Sequence, residues 1–102
     1  MGTLHTVNKS PFATGALLSC IAHAKEGDTV LMIEDGVYGA SSGTKVSDAL
    51  AARSGAVALC VLGPDFAARG LDSARLLDGI KSVDYAGFVE LAADCDRTQA
   101  WL

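Results

Sequence analysis

Apolar residues fall along this chain in two alternating patterns. Two short continuous runs, Val30–Ile33 and Ala56–Leu62, and two shorter strand-like stretches, Leu4–Val7 and Ile80–Val83, are separated by segments where apolar residues recur every three or four positions. Continuous runs are the mark of strands buried on both faces of a parallel sheet, and the 3.6-residue recurrence marks helices packed on it. Leu4–Val7 predicts a first strand. Ser10 is a good N-cap and Pro11 suits a first helical position, which predicts a helix from Pro11 to about Lys25. Its apolar stripe is Phe12, Ala16, Leu17, Cys20, Ile21 and Ala24. Thr29–Ile33 is a second strand, and Glu34–Gly39 leaves it as a loop. Thr44 caps a second helix with Val46, Ala49, Leu50 and Arg53 on one face and Gly55 at its C-terminus. Ala56–Leu62 is a third strand. Gly63-Pro64-Asp65 opens a short helix ending at Arg69-Gly70, and Asp72–Gly79 reads as another helical segment. Ile80–Val83 is a fourth strand. Asp84 caps a last helix with Tyr85, Phe88, Val89 and Ala92 as its stripe, and Thr98–Leu102 is a terminal edge strand.

Strand–helix alternation of this kind predicts an α/β fold. Residues 1–102 form a single small three-layer domain with a mostly parallel sheet of about five strands and helices on both faces. In such sheets ligands sit outside the carboxyl ends of the strands. That rim carries Asn8-Lys9-Ser10, Glu34-Asp35-Gly36 and Gly63-Pro64-Asp65.

Composition sharpens this picture in three ways. Of 102 residues half are hydrophobic and 20% charged, so the chain is too apolar for disorder. It can bury roughly two thirds of its unfolded surface in a single core. So few charges on so small a body leave two readings, unusually complete burial or apolar surface covered by partners; for the second, the first helix, the Val37-Tyr38 loop and the Trp101-Leu102 end are the candidate contacts. The net charge of −4, with no Lys/Arg cluster, argues against direct nucleic-acid binding. The start Met1-Gly2-Thr3-Leu4-His5 has no basic or apolar leader, and no apolar run approaches a membrane span. A cytoplasmic protein is expected.

Candidate chemistry is sparse. Glycine-rich phosphate loops and a nucleophile elbow are missing, and no cofactor or metal is implied. Glu34-Asp35 reads as solvated loop carboxylates more readily than as a base or cation site. Three cysteines at wide spacing, Cys20, Cys60 and Cys95, suit free thiols in a reducing compartment better than disulfides or zinc. Cys60 lies inside a strand and reads as a packed thiol. Cys95, between Asp94 and Asp96 at a helix end, is a poor nucleophile. Cys20 has two readings. It falls in the stripe of the first helix, which suits packing; His23 at i+3 could serve as its proton partner, which suits reactivity.

The segments Leu4-His5-Thr6-Val7-Asn8-Lys9-Ser10-Pro11-Phe12, Glu34-Asp35-Gly36-Val37-Tyr38, Leu62-Gly63-Pro64-Asp65 with Ala68-Arg69-Gly70, Val83–Val89 and Gln99–Leu102 together resemble the DsrH/TusB family, in order and over essentially the whole chain. The resemblance implies the small α/β fold of the DsrE superfamily. It also implies a heterohexamer with DsrE-like and DsrF-like subunits, two copies of each. That complex relays sulfur as a cysteine persulfide and exchanges it with a DsrC-like partner in dissimilatory sulfur oxidation. In the alternative TusB-like role, the relay serves 2-thiolation of the tRNA wobble uridine. In both, the main persulfide cysteine belongs to the DsrE/TusD subunit. Cys20 matches a cysteine of DsrH members, so the resemblance points to sulfur oxidation and to Cys20 as a persulfide carrier assisted by His23. A purely structural subunit, and a small-molecule module using the Asn8 and Asp35 loops, are the competing readings.

Overall fold

The computed structural model describes residues 2–102. Five strands form one sheet in the order β4-β3-β2-β1-β5: β1 Thr3–Val7, β2 Thr29–Met32, β3 Ala58–Leu62, β4 Ile80–Val83 and β5 Arg97–Trp101. Every neighbouring pair is parallel. The helices are α1 Ala16–His23, α2 Ser47–Arg53, α3 Gly63–Ala68 and α4 Tyr85–Asp94.

The chain steps from β1 through β4 in one direction and then returns to the far side of β1. Right-handed crossovers therefore place α1, α2 and α3 on one face of the sheet and α4 on the other. The packing agrees. Leu17, Cys20 and Ile21 of α1, Leu50 of α2 and Phe66 of α3 share one core with Val7, Val30, Met32, Leu59, Val61 and Ile80. Phe88 and Leu91 of α4 lie instead over Leu4, Leu31 and Cys60. Side-chain alternation along each strand divides the two sets.

Several elements differ from their sequence expectation, each for a physical reason. The first helix starts at Ala16 rather than Pro11. Ser10 caps a tight turn: its carbonyl accepts from Ala13 N and Thr14 N, both at 3.1 Å, and its Oγ accepts from Phe12 N. Phe12 is thereby left half exposed instead of joining the stripe. The Glu34–Ala40 segment is not an open loop but a 3₁₀ turn that folds back over the strand ends. Val37 is fully buried there, so it is core and not contact surface, and Tyr38 is half-buried. Gly36 makes this possible, since a Cβ on it would lie 2.1 Å from Val7 O. Of Asp72–Gly79, only Ser73–Arg75 is helical. Leu76 bridges to Ser41 and Leu77 N donates to Ala40 O, which pulls the chain straight.

Arg53 carries more than its place in a helix stripe suggests. Its guanidinium donates to the carbonyls of Ile21 and Ala24, closing the C-terminal end of α1 from the neighbouring helix. The cap of α4 is as expected: Asp84 Oδ1 accepts from Gly87 N at 2.8 Å. The buried stripe of α4 is not. Phe88, Leu91 and Cys95 turn toward the sheet, leaving Tyr85, Val89 and Ala92 outside. Both rows follow helical spacing, and the sheet selects the one that reaches Leu4 and Leu31.

Candidate functional site

Cys20 sits at the middle of α1 and is fully enclosed by the larger core. Burial pushes its thiol up to about 12, helped by the nearby Asp28 carboxylate. A thiolate is the nucleophile in persulfide exchange, and at neutral pH this group is held as the thiol. His23, three residues on, is exposed. Its Nδ1 bonds to Ser19 O at 2.8 Å, and its ring lies 5.8 Å from that of Trp101. Sequence spacing puts Cys20 and His23 together; the structure turns one inward and the other to solvent. Cys60 is buried in β3, where loss of water raises its pKa as well. Cys95 is half-buried under α4.

The carboxyl-end rim is built but closed upon itself. Asp65 Oδ2 accepts from Glu34 N at 2.8 Å, and Arg69 Nε donates to Asp35 Oδ1 at 3.0 Å. Glu34 occupies the left-handed region, φ 49°, where β2 passes into the 3₁₀ turn. These carboxylates therefore hold the rim together. Asn8 Oδ1, at the end of β1, is buried without a hydrogen-bond partner.

A cleft of about 510 Å³ opens elsewhere, toward the amino ends of β1 and β5. It forms because α1 is short and β5, at the sheet edge, has no helix of its own on that face. Its wall holds a three-residue relay of hydrogen bonds. Trp101 Nε1 donates to His5 Nδ1 at 3.0 Å, and His5 Nε2 lies 2.9 Å from Asp28 Oδ2. An indole N–H can only donate. Nδ1 is thus the acceptor, which puts the imidazole proton on Nε2, facing Asp28. Asp28 also accepts from Thr3 N and Lys25 N, both at 3.0 Å. Burial works against its charge, but the Lys25, His5 and Thr3 donors outweigh it and hold the carboxyl at about 2. Residues 5, 28 and 101 share no local periodicity. The one sequence signal was a histidine inside a short strand.

No helix among the described residues is long and apolar enough to cross a membrane, and none of their His, Cys, Asp and Glu side chains gather in threes that could hold a metal ion. What the fold and these sites define is a small α/β protein with a five-strand parallel sheet and an enclosed cysteine. The fold is shared with the ychN protein from E. coli (TM-score 0.75, 16% identity, covering 98% of this chain and 99% of that one). It is shared too with MTH1491 from Methanobacterium thermoautotrophicum (TM-score 0.74, 16% identity, 95% and 96%).

Within that class the chain belongs to the DsrH/TusB family. The family described as DsrH like protein matches residues 9–98. The chain is 36% identical over 100 residues to Protein TusB of Escherichia coli O81 (strain ED1a), covering 96% of this chain and 99% of that protein. Its identity to Protein TusB of Shigella flexneri is 35% with the same coverage.

Proposed function

We propose that this chain is a TusB-like subunit of a sulfur relay, assembled with TusC-like and TusD-like chains and serving 2-thiolation of the tRNA wobble uridine. The full-length similarity to TusB proteins carries this reading. It favours the thiolation role over the sulfur-oxidation role expected from the resemblance of Cys20 to a DsrH cysteine. Within the relay the chain acts by assembly. Burial supports a packing role for the Cys20 thiol, and the persulfide travels on cysteines of the partner chains.

Complementation of a strain lacking its own TusB tests this. Restored 2-thiouridine in tRNA, measured by nucleoside mass spectrometry, is the expected result, and Cys20→Ala should restore it equally. Absence of 2-thiouridine, with the chain stably made, would contradict the thiolation role.

A further inference from the structure

His5 is a buried titratable side chain in the wall of the cleft, and the assembly role makes no use of it. It lies on the α1 face of β1, two residues before Val7. β5 pairs with β1 so that Trp101 stands opposite Val7, and the indole reaches back one step along the same face to the imidazole. β5 is an edge strand with β1 as its single neighbour, and its residues Arg97, Thr98, Gln99 and Ala100 are exposed. The bond from Trp101 Nε1 to His5 Nδ1 therefore pins the end of a lightly held strand.

Both imidazole nitrogens are engaged, and the two engagements respond oppositely to acid. Asp28 Oδ2, at Nε2, accepts from the neutral ring and from the charged one. The indole N–H, at Nδ1, needs a lone pair there and so tolerates the neutral ring alone. With Nε2 already protonated, a second proton goes to Nδ1. It makes that nitrogen a donor and sets two N–H groups against each other at 3.0 Å. The Trp101 bond is lost, while the Asp28 bond becomes an ion pair. Trp101 is half-buried and lines the cleft of about 510 Å³, which gives its ring space to move. The other ionisable groups here are mixed in sign. Lys25 and Glu26 from the α1–β2 turn, Asp96 and Arg97 at the start of β5 and His23 of α1 line the same cleft. The Cys20 thiol of α1 lies near enough to Asp28 to feel its charge, and β2 itself, Thr29–Met32, brings no ionisable group. Of all these, Asp28 alone bonds to the ring.

We infer that His5 is a proton-driven latch on β5: with one proton it holds Trp101 against β1, and with two it releases the indole into the cleft while keeping Asp28. Histidine is the side chain whose charge changes nearest to neutrality, and Asp28, held at about 2, stays charged throughout. The shape of the cleft between α1 and β5 thus follows mild acid, whatever the chain's partners are.

Nitrogen-15 NMR of the full chain between pH 8 and pH 5 tests this. Imidazole nitrogen shifts give the tautomer and charge of His5, and the sole indole N–H belongs to Trp101. At pH 8 His5 should carry its proton on Nε2. As it takes the second proton, solvent exchange of the indole N–H, corrected for the intrinsic effect of pH, should rise at least ~10-fold with the same midpoint. His23→Gln should leave the transition in place, because the His23 ring bonds to Ser19 O and lies 5.8 Å from the indole. Trp101→Phe removes the opposing donor, so His5 should take its second proton at higher pH than in the natural chain. A His5 that stays singly protonated to pH 5 overturns the latch and makes the relay a fixed clamp. A charged His5 with unchanged indole exchange overturns it too, as does a transition that vanishes in His23→Gln. A His5 titration that Trp101→Phe leaves where it was overturns the coupling itself.

Discussion

The two sides of the sheet show what a small apolar chain can and cannot do for itself. Toward α1, α2 and α3 the side chains are enclosed almost without remainder: Val7, Leu17, Cys20, Val30, Met32 and Leu50 have no exposed surface at all. Toward α4 the core is three buried residues with half-buried Phe88 and Leu91 above them. The first side is finished within the chain. The second ends in a helix whose outer row is apolar. The one cysteine suggested for chemistry lies on the finished side, where it has no exposed surface.

This contrast can be broken by substitution. On the finished side, Leu17→Ala or Met32→Ala removes a fully buried side chain and should cost about 2–5 kcal/mol in chemical denaturation. Gly36→Ala belongs with them, because its methyl would meet the Val7 carbonyl and force the backbone apart. On the α4 side, Phe88→Ala should cost about 1–2 kcal/mol, because part of its surface already faces water. A loss as large as that of Leu17→Ala would show that the two sides are equally packed. Val89→Ser should stay within about 0.5 kcal/mol.

Acid sharpens the comparison from another direction, because the Asp28–His5–Trp101 relay ties β1 and β5 together over the cleft. Asp28 is held at about 2 in the folded chain, below the ordinary carboxyl value of 3.8. A carboxyl lowered by folding stabilises the fold above its unfolded pKa, and that contribution fades as pH falls from about 4 toward 2. It amounts to on the order of 2 kcal/mol. Denaturation midpoints measured from pH 6 to pH 2 should therefore drop over that window less in Asp28→Asn than in the natural chain. The sole tryptophan, Trp101, reports the same event in fluorescence if β5 loosens with it.

Much of this architecture was legible in the sequence. β2 and β3 are apolar runs, and β4 together with the Asp84 cap of α4 stands where pattern and capping chemistry put it. The start of α1 was not legible, because Ser10 can cap a turn as well as a helix and only the packed chain chooses. The rotation of α4 was hidden for a related reason: Tyr85/Val89 and Phe88/Leu91 are both apolar at helical spacing, and only contact with Leu4 and Leu31 separates them. The site was the least legible part. Cys20 and His23 are neighbours in spacing but face different ways, while His5 meets Asp28 from 23 positions away and Trp101 from 96. A helical interval tells which side chains share a turn, and says little about which of them reach water.

The central claim is that this chain completes a sulfur relay without carrying the sulfur. Its most direct test is intact-protein and peptide mass spectrometry of the assembled complex after loading with a persulfide donor. The prediction is that the added sulfur atom appears on a cysteine of a partner subunit, with the Cys20 peptide at its unmodified mass. A Cys20 peptide one sulfur atom heavier, in proportion to the sulfur transferred, would contradict the claim and make Cys20 a carrier.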